Sequence, residues 1–437
     1  MSASADFRFP PSFLFGCATA AHQVEGGTSN DWTRWEGLPG HIRDGSVSGV
    51  ACDHYSRYEQ DLELLHELGQ NAYRYSVEWS RIEPVEGRFD HDALRHYRDV
   101  ARKCHELGMT LIVTLHHFTF PQWLADLGGL EATSLPWFFA RFASLCTAFF
   151  GDQVEYWVTV NEPVILVLLG YLGGYWPPGA QSMMAARRAL KGALAMHAAG
   201  AAAIHAVAEE TGHSAKISIA HHERRLLPAT SSVLDHVAAA TPDYVLNRWF
   251  LRSIQTGRVL PPVGHGERMV GLAGSMDYLG LNWYTNERVV FDPRRRDMLG
   301  VRTVLNPDTP VSDYGWAILP FDLTDILVDL WDLFGLEIMI TENGVADSDD
   351  HLRPDFIVQH LRAVARAMEG GVPVLGYMHW SSMDNFEWAE GYSRKFGLME
   401  VDRSTMERRL RPSARVYESI CRTREIPAVQ ARASASA

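Results

Sequence analysis

The chain has 437 residues, of which 46% are hydrophobic and 21% charged, and this composition is typical of a globular protein with a large core. Its formal net charge of −13 argues against nucleic acid or an anionic membrane surface as a partner and favours a neutral or cationic small molecule. No run of eighteen apolar residues predicts a membrane span, and no apolar segment at the start predicts a signal peptide.

Strand-like apolar runs alternate with amphipathic helices along the chain. The predicted strands are 13–20, 72–79, 110–117, 155–163, 216–222, 276–284, 337–344 and 374–380. The predicted helices are 53–69, 94–107, 136–150, 183–211, 231–256, 322–334, 355–369 and 412–422. Asp53 is the expected N-cap of the first helix, and Gly69 is expected to end it.

Continuous apolar strands separated by helices predict a parallel sheet that is covered on both faces. Eight such units without a linker favour an α/β fold, a single-domain (β/α)8 TIM barrel with extended βα loops, over an open doubly wound sheet. No glycine-rich phosphate turn follows the first strand, which argues against a dinucleotide-binding fold. We expect residues 1–8 to be a flexible N-terminus, 9–425 the barrel domain and 426–437 a disordered C-terminal tail.

The five cysteines, at positions 17, 52, 104, 146 and 421, are odd in number and scattered. This pattern predicts reduced and mostly buried thiols. Together with the lack of a signal peptide, it favours a cytoplasmic location.

Polar residues end every predicted strand, at the side of a barrel where active sites are built. In chain order they are His22 and Gln23, Arg74 and Glu78, His116 and His117, Asn161 and Glu162, His221 and His222, Asn282 and Tyr284, Glu342 and Asn343, and His379 and Trp380. This set contains neither a cysteine ligand cluster nor a phosphate-binding turn, so we expect no metal and no cofactor.

Glu162 and Glu342 end the fourth and seventh predicted strands, which face each other across the mouth of a barrel. Two facing carboxyl groups are what cleavage of a glycosidic bond needs, since one attacks the anomeric carbon while the other protonates the leaving oxygen. Each negative charge raises the pKa of its neighbour, so the pair can hold one proton near neutral pH.

These residues also have structural interpretations. Glu162 can be a solvated loop carboxylate, and Asn343-Gly344 favours a turn with positive φ. The adjacent histidines 116 and 117 suggest a metal, but neighbours on a strand point to opposite faces, so at most one of them can line a site.

Five segments then stand in one order along the chain. They are F-L-F-G-C-A-T-A-A-H-Q-V-E-G (13–26), Y-R-Y-S-V-E-W-S-R-I (73–82), T-V-N-E-P (159–163), I-T-E-N-G (340–344) and W-S-S-M-D-N-F-E-W-A-E-G-Y (380–392), the last followed by Phe396 and Gly397. Together they resemble the signatures of glycoside hydrolase family 1, the β-glucosidase family. The resemblance extends from Phe9 to Tyr417.

The resemblance implies a retaining exo-β-glycosidase that hydrolyses terminal β-D-glucosyl residues of small β-glycosides or short oligosaccharides, with β-galactosides and β-fucosides as further substrates. It implies Glu162 as general acid/base and Glu342 as nucleophile. Arg74 and Tyr284 would hydrogen-bond the nucleophile, and Asn282 would support them.

The same resemblance implies the sugar-binding residues. Gln23, His117, Asn161 and Glu387 would bind sugar hydroxyls, with Asn161 at the 2-hydroxyl. Trp380 would be the platform under the pyranose ring, and Trp388 and Phe396 would close its rim.

The chain departs from the family pattern at four positions that bear on specificity. Phe118 stands where the family usually has Trp, Thr119 where it has an acidic residue, and His22 and Trp283 where Tyr is common. The loop from Tyr284 to Pro320 matches poorly and is expected to shape the aglycone entrance.

Three alternatives share the scaffold. A 6-phospho-β-glycosidase holds phosphate with a serine and basic residues where this chain has Glu387, whose charge would repel phosphate, although Arg394 lies nearby in sequence. A transglycosidase would use the same intermediate with a sugar acceptor. A catalytically silent sugar-binding protein would lack one of the two glutamates, and both are present.

Overall fold

The computed structural model describes residues 7–294, 301–305 and 307–426. The barrel strands, labelled β1 to β8, are Leu14–Ala18, Ala72–Ser76, Thr110–His116, Tyr156–Asn161, Lys216–Glu223, Leu279–Trp283, Ile338–Asn343 and Val374–Trp380. Within the described residues these eight strands pair in parallel, each with its neighbours in chain order, and β1 closes the barrel by pairing with β8. The (β/α)8 barrel predicted from the sequence is therefore confirmed.

Helices cover the outside of this barrel. The longer ones, labelled α1 to α8, are His54–Glu67, His91–Glu106, Leu135–Phe150, Met183–Thr211, Val233–Asp243, Asp322–Phe334, Arg353–Glu369 and Pro412–Thr423. Shorter helices are Ala21–Val24, Asp31–Glu36, Trp79–Ile82, Gln122–Asp126, Pro163–Leu166 and Phe250–Thr256. The helical region predicted near 231–256 is confirmed and consists of α5, a π-helical segment at Tyr244–Trp249 and the helix Phe250–Thr256. Pro242, inside α5, lacks the N–H that a regular helix needs there.

The residues that precede α1 and α2 differ in whether they cap the helix. Asp90 caps α2, because its carboxylate accepts hydrogen bonds from the backbone N–H groups of Asp92 (2.8 Å) and Ala93 (3.1 Å). Asp53 precedes α1 as predicted but makes no capping hydrogen bond. Its carboxylate instead accepts a hydrogen bond from Nε of Arg57 at 2.8 Å, so the predicted N-cap is wrong in its chemistry.

Small sheets lie outside the barrel and were not predicted. Leu226–Pro228, Glu287–Phe291 and Val301–Val304 form a three-stranded sheet on the loops that follow β5 and β6. Two hairpins are formed by Arg258–Val259 with Glu267–Arg268, and by Met399–Asp402 with Glu407–Leu410. These strands are short and largely exposed, so they carry little of the apolar pattern by which strands are recognised.

The two ends of the described chain meet. Arg8 forms a backbone bridge with Glu425, and Phe9 is buried in the core. Ile426 is also buried in the core, so its assignment to a disordered tail is wrong. The other residues of the predicted tail, and residues 1–6, lie outside the described residues. A search of the described helices finds none with the length and apolarity needed to cross a bilayer.

Candidate active site

Glu162 lies at the point where β4 turns into the mouth of the barrel. All six residues of β4 are buried, and a register shift against β5 occurs between the pairs Val158–Ser218 and Asn161–Ala220. Such a bulge re-aims the side chains that follow it. Glu162 then takes φ = 41°, a left-handed conformation that is costly for a residue with a Cβ. The strained turn directs a buried carboxyl group into the mouth.

Glu342 is the penultimate residue of β7 and follows a similar irregularity. The register of β7 against β6 shifts between the pairs Ile340–Leu281 and Glu342–Asn282. Arg74 on β2 donates a hydrogen bond from Nη1 to Oε1 of Glu342 at 2.5 Å. Tyr284, just after β6, donates its hydroxyl to Oε2 at 2.7 Å. Both oxygens of this buried carboxyl group therefore have strong donors.

Arg74 and two asparagines connect the two glutamates. Nη2 of Arg74 donates to Oδ1 of Asn161 at 2.7 Å, and this oxygen also accepts from Nδ2 of Asn282 at 3.2 Å. The same Nδ2 donates to Oε1 of Glu162 at 2.7 Å. Thr341 fixes the orientation of Asn282 by donating its hydroxyl to Oδ1 at 2.7 Å. This network holds both carboxyl groups in one rigid frame.

The two carboxyl groups titrate as a pair. Burial raises the pKa of Glu342 to about 7, and the charge of Glu162 adds to this, while Arg74 and Tyr284 act in the opposite direction. Burial also raises the pKa of Glu162, but the charge and close contact of His222 and the hydrogen bond from Asn282 outweigh it, so this pKa lies below its ordinary value. The pair can therefore hold one proton near neutral pH.

Polar groups with unused hydrogen-bonding capacity line one wall of the barrel mouth beside the two glutamates. Nε2 of Gln23 donates to Oδ1 of Asn385 (3.0 Å), to the carbonyl of Phe386 (2.9 Å) and to Oε2 of Glu387 (3.3 Å). Oε1 of Gln23 is buried and has no partner within the described residues. Burial, followed by the charges of Glu342 and Glu162, raises the pKa of Glu387 to about 8, although the Gln23 hydrogen bond lowers it.

His117 contributes a second free group. Burial, and next the charge of Arg74, holds the pKa of His117 well below its usual range, so its ring is neutral. Nε2 lies 3.1 Å from Nδ2 of Asn161 and accepts its hydrogen bond. Nδ1, which then carries the proton, is buried without a partner in the described part of the chain.

Aromatic rings form the rest of the wall. His117 stacks against both Trp380 and Trp388, with ring centroids 6.0 Å apart in each case. Phe118, at φ = 70°, contacts Trp388 with centroids 5.2 Å apart. Phe396 packs against Tyr284 with centroids 6.1 Å apart. The site is thus a polar and aromatic pocket around two carboxyl groups.

Comparison with known proteins agrees with this geometry. Residues 5–426 match the family model described as glycosyl hydrolase family 1. The chain belongs to this family. β-Glucosidase A of Thermotoga maritima is 33% identical over 442 residues, covering 94% of this chain and 97% of the relative. A β-galactosidase of Saccharolobus solfataricus is 31% identical over 475 residues, covering 95% of each.

The solved structures of the family share the whole fold. The family 1 β-glucosidase of Thermotoga maritima in complex with isofagomine lactam has a TM-score of 0.90 and 32% identity, covering 96% of this chain and 100% of that one. The resemblance to family 1 is therefore confirmed. The roles assigned to individual residues stay predictions.

Several strand-end residues face away from the pocket of this family 1 chain. His116 packs on Phe120, with ring centroids 4.3 Å apart, while its neighbour His117 lines the pocket. Glu78 accepts hydrogen bonds from the hydroxyls of Ser80 (2.7 Å) and Thr119 (3.1 Å). Thr119, which replaces the acidic residue usual in the family, is therefore a donor to a buried carboxylate.

Three other strand-end residues have structural partners. Nδ2 of Asn343 donates to the carbonyl of Trp283 at 2.7 Å, and His379 packs near Tyr417 with ring centroids 6.1 Å apart. His22 stacks under Trp388 with centroids 5.7 Å apart, so it supports the pocket without lining it.

The structure brings to the site residues to which the sequence analysis gave no role. His222 lies beside Glu162, with Nδ1 3.1 Å from Oε1, whereas its neighbour His221 pairs with Glu223 on the other face of β5. Trp176 contacts Phe118 with centroids 4.8 Å apart, and Trp316 contacts Tyr284 with centroids 5.6 Å apart. The alternation of faces along β5 is the signal that could have separated the two histidines.

In the part of the chain that the structure describes, no group of three or more His, Cys, Asp or Glu side chains is arranged to hold a metal ion.

Proposed function

We propose that this protein is a retaining exo-β-glycosidase that hydrolyses terminal non-reducing β-D-glucosyl residues, with β-galactosides and β-fucosides as further substrates. The observation that carries the proposal is the asymmetry of the two carboxyl groups. Arg74 and Tyr284 donate to both oxygens of Glu342, whereas the contacts of Glu162 with other described side chains involve Oε1. The relatives named β-glucosidase and β-galactosidase support the same activity.

In the first step the ionised form of Glu342, which Arg74 and Tyr284 stabilise, attacks the anomeric carbon. Oε2 of Glu162 transfers its proton to the glycosidic oxygen as that bond breaks, and the aglycone leaves as an alcohol. In the second step the ionised Glu162 takes a proton from water, which attacks the anomeric carbon, displaces the carboxylate of Glu342 and releases the sugar with its original configuration. Positive charge that develops on the sugar beside Glu342 stabilises the ionised form of Glu342, so the shared proton is driven to Glu162.

The sugar itself would be held by the polar and aromatic walls. The unpartnered Oε1 of Gln23 and Nδ1 of His117 offer an acceptor and a donor to hydroxyl groups. Asn161, fixed by Arg74 and Asn282, is suited to the 2-hydroxyl, whose hydrogen bond strengthens in the transition state. Trp380 would lie under the pyranose ring, with Trp388, Phe396 and Glu387 around it.

A 6-phospho-β-glycosidase is disfavoured by the partners of the nearest cation. Arg394 donates from Nε to Glu390 at 3.0 Å and from Nη1 to the carbonyl of Asp313 at 2.6 Å. It also lies over the ring of Tyr314, 5.2 Å from the centroid. Two of its N–H groups are therefore committed to partners within the chain.

The proposal is tested with Glu342→Ala. This variant should have no measurable turnover of an aryl β-glucoside, and added azide should restore cleavage to an α-glucosyl azide, because azide fits the space of the lost carboxylate and attacks from the same side. Glu337→Ala, just before β7 at the other end of the barrel, is the matched control and should hydrolyse normally. Normal turnover by Glu342→Ala would refute the assignment.

Glu162→Ala separates the remaining alternatives. It should slow cleavage of poor leaving groups far more than that of 2,4-dinitrophenol, which needs little protonation. An equal loss for all leaving groups would contradict the acid/base role. If the wild-type enzyme transferred sugar to an added acceptor instead of water, it would be a transglycosidase, and sugar binding without turnover would identify a silent protein.

We also propose a cytoplasmic location. Cys17, Cys52, Cys104, Cys146 and Cys421 are all unpaired and buried. Free thiols in this number are usual where the environment is reducing.

A further inference from the structure

Trp176 is an aromatic residue of the barrel mouth to which the mechanism above assigns no role. It lies on the loop after Val167–Leu172, the π-helical segment that follows Glu162 and its short helix. Its ring contacts that of Phe118 with centroids 4.8 Å apart and that of Trp388 with centroids 5.8 Å apart. Both of these rings belong to the pocket wall, so Trp176 belongs to it as well.

The backbone around Trp176 is fixed against the segment that precedes it. The N–H groups of Tyr175 and Trp176 donate to the carbonyl oxygen of Leu169 at 2.8 Å and 3.3 Å. A Cβ at Gly170 would clash with the carbonyl oxygen of Pro177, so the loop packs directly on the segment before it. The indole is therefore held in place before a ligand arrives, which reduces the cost of ordering it on binding.

The indole N–H of Trp176 is an unused donor. It has no acceptor among the described residues, and the side chain keeps 9% of its surface exposed. Trp32, which packs against it with centroids 5.4 Å apart, is by contrast fully buried. Phe118, which stands where the family usually has Trp, has no polar atom on its side chain. Trp176 thus offers the wall the indole N–H that position 118 lacks.

The neighbours of Trp176 indicate which sugar hydroxyl it faces. The 2-hydroxyl is the group proposed for Asn161, and His117 accepts a hydrogen bond from Nδ2 of Asn161 at 3.1 Å, so His117 lies one step further along the sugar ring. Phe118 follows His117 directly, and its ring is closer to Trp176 than that of Trp388 is. The hydroxyl at this step is the 3-hydroxyl. A hydroxyl oxygen accepts two hydrogen bonds, so it can serve the N–H groups of both His117 and Trp176.

We propose that Trp176 is a further sugar-binding residue, whose indole N–H donates to the 3-hydroxyl of the terminal sugar in place of a tryptophan at position 118. This inference rests on the proposed glycosidase function. Glucosides, galactosides and fucosides carry the 3-hydroxyl in the same orientation, so the contact serves all three. It disfavours sugars in which this hydroxyl is missing or inverted, because the indole N–H then stays unpaired.

The kinetic test compares 4-nitrophenyl β-D-glucoside with its 3-deoxy and 4-deoxy analogues. Trp176→Phe keeps an aromatic ring and removes the N–H, so it should lower kcat/KM for the glucoside about three- to tenfold, as expected for one neutral hydrogen bond. The 4-deoxy substrate should lose about the same factor. The 3-deoxy substrate, which has no acceptor at that position, should change less than about twofold. A merely structural role would lower all three alike.

A control and a double variant complete the kinetic test. Trp137→Phe is the matched control, because Trp137 lies at the start of α3, outside the barrel, with 62% of its surface exposed. It should leave all three substrates unchanged. In the Trp176→Phe background, Phe118→Trp returns an indole to the same wall and should restore preference for the glucoside over the 3-deoxy substrate. No gain in that preference would contradict the exchange of the two positions.

Two results in Trp176→Phe alone would overturn the proposal. One is an equal loss for all three substrates. The other is a loss that disappears with the 4-deoxy substrate and persists with the 3-deoxy substrate, since the partner would then be the 4-hydroxyl.

Binding measured without turnover separates this inference from the proposed function. The Kd is determined by titration with 4-nitrophenyl 1-thio-β-D-glucoside, whose sulfur bridge resists hydrolysis, and with its 3-deoxy analogue. Trp176→Phe should weaken binding of the first about three- to tenfold and of the second less than about twofold, and Trp137→Phe should change neither. Equal weakening of both ligands would overturn the proposal even in an active enzyme. The expected pattern in a wild type that cleaves no β-glycoside would support the Trp176 contact and refute the proposed function instead.

Discussion

The hydrogen bond from Tyr284 to Glu342 offers a clean perturbation of the nucleophile. Tyr284→Phe removes one oxygen, which donates to Oε2 of Glu342 at 2.7 Å. The ring itself remains, and so do its contacts with Trp316 and Phe396, whose centroids lie 5.6 Å and 6.1 Å away. Any change in catalysis therefore reports on the hydroxyl.

The size of the effect follows from the charge on the acceptor. A hydrogen bond to an ionised group contributes about 1.5–3 kcal/mol, so its loss should lower kcat/KM about 10- to 100-fold. The Tyr284 hydrogen bond also lowers the pKa of Glu342, which burial raises to about 7. Without it this pKa rises further. Because the nucleophile must be ionised, the acidic limb of the kcat/KM profile should move to higher pH.

The assay is the pH profile of kcat/KM for an aryl β-glucoside in the wild type and the variant. Tyr278→Phe is the matched control, because its hydroxyl is also buried but donates to the carbonyl of Trp157 at 3.3 Å, away from both carboxyl groups. It should leave the profile unchanged. If Tyr284→Phe lost less than threefold with its acidic limb unmoved, Glu342 would not depend on this donor, and its assignment as the nucleophile would be in doubt.

Two further predictions concern the pocket walls. Glu387→Gln should raise KM for an aryl β-galactoside about tenfold but change it little for the β-fucoside, which differs from the galactoside only by lacking the 6-hydroxyl, and equal KM ratios would exclude Glu387 from that part of the subsite. Gly344→Ala places a Cβ 1.9 Å from the carbonyl oxygen of Trp380 and should destabilise the fold by about 1–3 kcal/mol or more. Gly37→Ala, whose Cβ has its nearest contact at 3.5 Å, is the control in thermal unfolding.

The barrel and its two carboxyl groups could be predicted because their signals are local. Each barrel strand is a short apolar run between helices, and the strand ends carry polar residues that a barrel brings to one mouth. The positions of Glu162 and Glu342 at the ends of the fourth and seventh predicted strands were enough to identify them as candidates for the site. Their roles then followed from T-V-N-E-P and I-T-E-N-G.

The features that the sequence did not predict depend on contacts between strands. Register shifts precede both Glu162 and Glu342, so counting alternate residues along either strand does not give the direction of the carboxyl group. Gly344 was interpreted through the positive φ that Asn-Gly favours, but it does not have a positive φ. Glycine is needed at this position because the carbonyl group of Trp380 lies too close for a Cβ. This carbonyl belongs to β8, so the sequence around Gly344 does not reveal it.

The protonation of the carboxyl groups in the pocket explains why a third one, that of Glu387, is compatible with catalysis. With Glu162 and Glu342 sharing one proton, their single negative charge is compensated by Arg74, and an ionised Glu387 would add an uncompensated charge that makes Glu342 harder to ionise. Because the pKa of Glu387 is raised to about 8, this residue is neutral when the pair works near pH 7. A neutral carboxyl group also both donates and accepts hydrogen bonds, which suits sugar hydroxyls. Burial thus suits Glu387 to the binding role proposed for it, through the same effect that lets the other two share a proton.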